Sequence, residues 1–345
     1  MPATETGPPV RELPAQEVLV RARALIEPVL QVSVDSLGDA LRRMAGYHLG
    51  WWDAAGTPTP GASGKALRPA LTLTAATVCG GDAAEAVPAA AAVELLHNFS
   101  LVHDDVMDED PLRRGRRTVW SVWGVTNAIL LGDAFHALSV GVLSTRLPGH
   151  VTAEAITWLQ KTALELCRGQ YDDCAFENRP QVGIDDYIAM AMGKTGALMG
   201  CACALGALCV GADTATISDM DFFGRELGLA FQFVDDVIGI CGDPAVSGKP
   251  VGSDLRSRKK TLPVVAALES GTDAAVELAA LYRSTEPLTS DQVERAADLV
   301  HQAGGLDLAL HCARHRLTAA MQVLPAHATA EDLQQLARLV TLRDR

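Results

Sequence analysis

An all-α fold, a single large helical bundle around a central cavity, is predicted by three observations. Apolar residues recur at three- and four-residue steps along most of the chain. No run of alternating β-branched residues reads as a strand. Gly and Pro gather in short clusters between the periodic stretches. With 345 residues, 48% hydrophobic but only 5% aromatic, the chain carries enough aliphatic side chain for a sizeable core, and disorder is excluded. We expect a loose tail over residues 1–12 and one domain over 13–345, since no linker, repeat or low-complexity block divides the sequence.

The first helical stretch covers 16–49, with Val18, Leu19, Ala22, Leu25, Ile26, Val29 and Leu30 on one stripe. Further stretches cover 66–79, 84–107, 121–146, 152–177, 185–210 and 214–241, then 260–270, 273–283, 290–303, 306–323 and 330–342. Pro58, Pro60 and Gly61, Gly80 and Gly81, Pro148 and Gly149, Pro180 and Gly183, Pro287, and Gly304 and Gly305 punctuate them. Thr289 with Gln292, and Thr329 with Asp332, stand where helix N-caps and their third-position partners belong. Eighteen uncharged residues lie between Lys194 and Asp213, rich in Gly, Ala and Cys; they read as a buried helix rather than a membrane span.

Composition narrows the function. There are 29 Lys+Arg against 42 Asp+Glu, a net charge of −13, which argues against nucleic acid as a partner. Eight cysteines without a CxxC pair read as free thiols, and the N-terminus lacks the apolar run of a secretory signal, so we expect a cytoplasmic protein. One segment stands out: residues 242–260, GDPAVSGKPVGSDLRSRKK, form a long Gly/Pro-rich stretch with Lys249, Arg256, Arg258, Lys259 and Lys260. It reads either as a solvated surface loop or as a lid that clamps an anion.

Two acidic clusters carry the chemistry. In SLVHDDVMDED, Asp104 and Asp108 fall one turn apart if the helix runs through 108, where like charges repel. In FQFVDDVIG, Gln232, Asp235 and Asp236 again follow a strongly apolar helix. One such cluster could be a solvated helix end. Two of them, each followed by basic residues, suit divalent cations such as Mg²⁺ that bridge carboxylates to a diphosphate. Lys65 and Arg68 sit three residues apart near a helix start, Lys194 lies beside an uncharged helix, and His97 falls two turns before Asp104. For His97 a packed core histidine and a functional one are equally good readings.

These residues resemble the trans-isoprenyl diphosphate synthases, or polyprenyl synthetases. The resemblance rests on GKALRP (64–69), ELLHNFSLVHDDVMD (94–108), RRGR (113–116), GQYDD (169–173), KTG (194–196), FQFVDD (231–236) and GKPVGSDLRSRKKTLP (248–263). It implies that Asp104, Asp108 and Asp235 hold Mg²⁺, about three ions once substrate is bound. Arg113, Lys194, Lys249 and Lys259 would then hold the allylic diphosphate, while Lys65, Arg68, His97 and Arg114 hold isopentenyl diphosphate. Thr195 and Gln232 would turn oxygens toward the allylic carbon as positive charge develops. The implied reaction ionises the allylic C–O bond, adds the alkene of isopentenyl diphosphate and releases a proton.

Three positions depart from the family pattern. Gly239 replaces the usual fifth Asp of the second cluster, implying weakened or rearranged metal contacts; Ala66 stands where Arg is frequent, and Arg117 where Pro is frequent. Phe99 and Ser100, just before Asp104, occupy the positions that set product length in the family, and a Phe there implies a short product, C20 or C15. Ordinary core packing is the alternative for Phe99. The family is commonly homodimeric, and the apolar stretch 121–146 could contribute to an interface. Two competing readings are a class I terpene cyclase, which would not need Lys65, Arg68 and Arg114, and a non-catalytic subunit of a heteromeric synthase, suggested by Gly239.

Overall fold

The computed structural model describes residues 15–59, 64–241, 252–284, 286–325 and 331–341. Helix α1 (Ala15–Asp35) buries the stripe that the periodicity marks, including Leu19, Ala22, Ile26 and Leu30. The chain turns through Ser36–Gly38 before α2 (Asp39–His48), so the stretch expected over 16–49 is two helices rather than one. Helix α3 (Leu67–Val78) follows a left-handed Ala66, φ 53°. That conformation costs a residue with a Cβ about 1–2 kcal/mol, so the surroundings must hold it in place. A 3₁₀ turn (Ala83–Ala86), boxed by Asp82 and Glu85, leads into α4 (Val87–Met107).

Two short strands that the periodicity does not announce, β1 (Leu112–Arg113) and β2 (Arg116–Arg117), pair antiparallel. Their turn residues Arg114 and Gly115 both have positive φ, 52° and 73°, as a tight hairpin demands. Helices α5 (Val119–Trp123) and α6 (Val125–Arg146) are separated at Gly124, and α7 (Gly149–Asn178) is the longest helix described. The stretch expected over 185–210 consists of α8 (Ile184–Ala191), a π turn (Met192–Gly196) and α9 (Ala197–Cys209). The remaining helices are α10 (Thr214–Cys241), α11 (Ser253–Arg256), α12 (Leu262–Glu269), α13 (Asp273–Arg283), α14 (Ser290–Gln302), α15 (Gly305–Gln322) and α16 (Glu331–Thr341).

Helix α9 is the centre of the bundle. It is buried from Ala197 through Leu208, which a helix apolar on every face requires. Helices α3, α4, α7 and α10 pack around it, and α4 in turn packs on α6. Two stretches are long and apolar enough to cross a membrane, Val125–Arg146 and Ile184–Cys209, but the second is 72% buried inside the protein. All eight cysteines are free, and Thr289 and Gln292 form the expected reciprocal cap. Thr329 lies outside the described residues, as do residues 242–251, including Lys249.

The described end of the basic segment is partly helical, and two of its cations are held by backbone carbonyls rather than by solvent or an anion. Residues Ser253–Arg256 are helical. Lys260 donates to the carbonyls of Phe176 and Arg179 at the C-terminus of α7, satisfying acceptors the helix leaves open. Arg258 donates to the carbonyls of Leu281, at 3.1 Å, and Glu286. These two cations are therefore structural ties.

Candidate active site

Helix α4 delivers the first acidic cluster at its C-terminus. Met107 ends the helix and Asp108 caps it, its N–H donating to Asp104 O at 2.8 Å, so the two carboxylates remain one turn apart. They stand at the negative end of the helix dipole, which adds to their repulsion. Burial pushes the Asp104 carboxyl up to about 6; Asp108 and Asp173 add to the rise, while Lys194 and Arg113 oppose it. Asp105, between them, faces inward and is 1% exposed. Both Nε and Nη2 of Arg113 reach its Oδ1 at 2.7 Å. Arg113, expected on the allylic diphosphate, thus has Asp105 as its partner here.

Helix α10 delivers the second cluster, and here the neighbouring acids have divided roles. Asp236 is buried and accepts from Tyr187 Oη, from Leu262 N at 2.9 Å, and from Gln232 Nε2 at 2.9 Å. Leu262 is the first residue of α12, so this carboxylate also caps a helix N-terminus. Asp236 is a structural hub, which leaves Asp235 as the cluster's candidate metal ligand. Burial pushes Asp236 up to about 6 despite three donors.

The π turn places Lys194 and Thr195, and glycines allow it to come close. A Cβ at Gly169 of α7 would stand 2.3 Å from Lys194 N, and one at Gly228 of α10 would stand 2.7 Å from Gly196 Cα. With backbones this close, Thr195 Oγ1 donates to Gln232 Oε1 at 2.8 Å. Lys194 Nζ pairs with Asp173 Oδ2 at 2.5 Å, and Lys259 Nζ lies 3.5 Å from the same oxygen. Burial works against the Lys259 charge, but Asp173, Asp108, Asp254 and Asp236 outweigh it and hold the proton more tightly than usual. Lys259 therefore feels both acidic clusters. Asp173, Lys194, Thr195, Gln232, Asp236 and Lys259 line one cavity.

A second group gathers around α3 and the β1–β2 hairpin. Arg68 Nη1 donates to His97 Nε2 at 3.1 Å. His97 accepts because burial, with Arg68 and Arg114 nearby, holds it neutral, well below the usual histidine range. Arg68 Nε is buried with no protein partner, a donor that suits a phosphate oxygen. Glu94, raised by burial, lies within the fields of Arg68 and Arg114. Arg114 rests its guanidinium against Gly64, where a Cβ would meet it at 2.7 Å, and Lys65 beside it is exposed. His48, pushed down to about 3 by burial and by Arg113 and Arg114, lines an adjoining arginine-rich cavity. Phe99 is half-buried, 4.8 Å edge-on from the His103 ring and 5.3 Å from the His136 ring, while Ser100 Oγ donates to His97 O at 2.9 Å.

Sequence alone gives no role to Asp173, Tyr187 or Glu94, and counts Asp236 only as a member of the second acidic cluster. GQYDD marked Asp173 as part of a motif, but its lysine partners lie 21 and 86 residues further along the chain. No three His, Cys, Asp or Glu side chains converge into a ready metal cage among the described residues. The donors present still fit a hard divalent ion, since paired carboxylates at a helix C-terminus need positive charge and such ions take further oxygens from water and phosphate.

Fold and site together define the isoprenoid synthase class, an all-α bundle that faces two acidic clusters with lysines and arginines. Residues 51–300 match the family model of the polyprenyl synthetases. The chain is 55% identical over 327 residues to a geranylgeranyl diphosphate synthase of Mycobacterium tuberculosis, covering 95% of this chain and 93% of the relative. It is 43% identical to a (2E,6E)-farnesyl diphosphate synthase of Mycobacterium bovis, covering 94% and 92%. The crystal structure of a polyprenyl synthetase from Streptomyces coelicolor A3(2) superposes with a TM-score of 0.89 at 40% identity, covering 94% of this chain and 99% of that one. The chain belongs to the polyprenyl synthetase family and is a chain-elongating, short-chain trans-prenyltransferase. Neither the cyclase nor the non-catalytic subunit is favoured.

Proposed function

We propose that this enzyme condenses isopentenyl diphosphate with an allylic diphosphate and releases geranylgeranyl diphosphate, C20. The observation that carries the product assignment is the 55% identity, over 95% of the chain, to a relative named for that product. Phe99, braced by two histidine rings, supports a short product as the floor of the prenyl site. Asp104, Asp108 and Asp235 would hold Mg²⁺, which when bound supplies positive charge against the leaving diphosphate.

The chain's own residues do the rest. Lys194 and Lys259 exchange Asp173 for diphosphate oxygens, while Arg113 stays close enough to bias Asp104. Lys249 joins them from the preceding segment, as the resemblance implies. Arg68, through its unpartnered Nε, binds isopentenyl diphosphate with Lys65, Arg114 and neutral His97. Thr195 commits its proton to Gln232, which leaves its oxygen lone pairs for the allylic carbon as positive charge grows. Tyr187, Asp236 and the start of α12 keep that pair in place and water out.

We further propose that residues 13–345 fold as one domain and that the enzyme works as a cytoplasmic homodimer. Exposed Val125, Ile129 and Leu130 on α6 support the interface. The test is incubation of purified protein and Mg²⁺ with labelled isopentenyl diphosphate and dimethylallyl, geranyl or farnesyl diphosphate. Accumulation of C20 is expected; a C15 end product would overturn the product assignment, and no incorporation with any primer would overturn the reaction. Asp104→Ala should lower turnover by about 10²–10³-fold with the fold intact, since it removes a charge site and little packing.

A further inference from the structure

We propose that Glu165 and Arg225 form a clamp that holds the π turn in its register, which makes them positioning residues for Lys194 and Thr195. The inference rests on the roles proposed above for those two side chains. A π turn closes i→i+5 hydrogen bonds instead of i→i+4, an arrangement that is rare and needs support from its surroundings. Here the turn packs against both α7 and α10. A Cβ on Gly193 would stand 3.0 Å from Glu165 O, and one on Gly196 would stand 3.2 Å from Arg225 O. Both partners are main-chain atoms, so the turn rests on backbone at each end.

The two residues that supply this backbone are also joined through their side chains. Arg225 Nη1 donates to Glu165 Oε2 at 2.7 Å, and Nη2 donates to Oε1 at 3.1 Å. Helices α7 and α10 are thereby tied where the turn meets them. Exposed ion pairs contribute little, but the Arg225 side chain is only 21% exposed, and a two-point fork sets distance and orientation together. Asp221, one turn before Arg225, accepts from its Nε at 2.8 Å and aims the guanidinium. The other oxygen of Asp221, Oδ1, is buried with no hydrogen-bond partner, a cost borne by the residue that orients the clamp.

Without the clamp the turn can relax to regular α geometry. Losing one residue of register rotates a helix face by about 100°, which would take Thr195 off Gln232 and Lys194 off Asp173. Arg68, His97 and Arg114 lie on α3, α4 and the β1–β2 hairpin, which the clamp does not join. Breaking it should therefore slow turnover and spare the isopentenyl diphosphate site.

The experiment uses the full chain. Glu165→Gln and Arg225→Gln break the clamp. Arg316→Gln is the control: Arg316 Nη1 donates to both Glu226 carboxylate oxygens at 3.2 Å, an ion pair that ties α10 to α15 instead of to α7. Amide hydrogen exchange over residues 192–198 and steady-state kinetics are measured at a temperature where melting shows every variant folded. Each clamp variant should speed exchange in that segment about tenfold. Each should also lower kcat about 10–100-fold, with KM for isopentenyl diphosphate within about twofold of wild type. The double variant should be no slower than the slower single one, because the pair acts as a unit. Arg316→Gln should lower the melting temperature and leave exchange in the turn and kcat near wild type. Unchanged exchange in the clamp variants, or an equal loss of kcat in Arg316→Gln, would overturn the clamp. Faster exchange with wild-type kcat would instead overturn the roles proposed for Lys194 and Thr195.

Discussion

Gln232 Nε2 donates to Asp236 Oδ1 at 2.9 Å, and that bond decides which way the Gln232 amide faces. With its nitrogen held, Oε1 must turn to Thr195, whose hydroxyl donates to it at 2.8 Å. Asp236→Asn keeps the shape but presents an NH₂ to one of the donors that now meet oxygen. We expect kcat to fall about 10–100-fold, matching 1–3 kcal/mol for an unsatisfied buried donor, with little change in KM for isopentenyl diphosphate. Steady-state kinetics at pH 7.5 decide it, and a KM effect larger than the kcat effect would contradict a role in orienting Thr195.

The raised carboxyls give a pH signature. Asp236 reaches about 6 in the folded protein from an ordinary value of 3.8, so folding takes up a proton between those values. Its contribution to stability therefore declines as the pH rises through that window. Relative to Asp236→Asn, the wild type should lose about 3 kcal/mol between pH 3.8 and pH 7, measured by chemical denaturation without added metal. A flat difference would contradict the burial argument.

Asp104 carries the corresponding functional signature, because a protonated carboxylate does not hold a cation. Below about pH 6, Mn²⁺ affinity should fall by roughly tenfold per pH unit as that one group competes for a proton. Calorimetric titration across pH 5 to 7.5 measures the slope, and no pH dependence in that range would remove Asp104 as a ligand.

Gly169→Ala should displace the π turn, since the new methyl lands 2.3 Å from the Lys194 amide nitrogen and backbone cannot step aside cheaply. We expect a loss of about 1–3 kcal/mol in stability and a larger proportional loss in turnover, as Lys194 and Thr195 move together. Wild-type activity at wild-type stability would show that the turn tolerates the shift.

Phe99→Ala removes the ring held between His103 and His136 and should extend products beyond C20. His136, itself contacted by Gln160 at 3.2 Å, backs that ring, and His136→Ala should lengthen products less. Chain-length analysis reads both, and an unchanged distribution in Phe99→Ala would place the floor elsewhere.

Much of the fold was legible because helix periodicity is local. The stripe of α1 and the bounds of α10 and α13 could be read directly from apolar spacing. The breaks at Ser36–Gly38 and at Gly124, and the π turn over Met192–Gly196, were not legible, since packing rather than spacing interrupts those helices. Arg258 and Lys260 were misread for a similar reason. Charge in a Gly-rich segment suggested solvent or an anion, but their partners are backbone carbonyls 23 or more residues away in sequence.

The sequence by itself determined the all-α class, the acidic clusters at Asp104 and Asp235, and the basic residues that accompany them, because motif spacing and periodicity are properties of neighbours along the chain. Only the tertiary structure tied Asp236 to Tyr187, Gln232 and Leu262, joined Lys194 and Lys259 on Asp173, and brought Asp254 over Gly239. Each of those outcomes depends on burial and on which distant backbone comes close. Burial sets the charge that a carboxylate can carry, and close approach decides where a side chain is excluded.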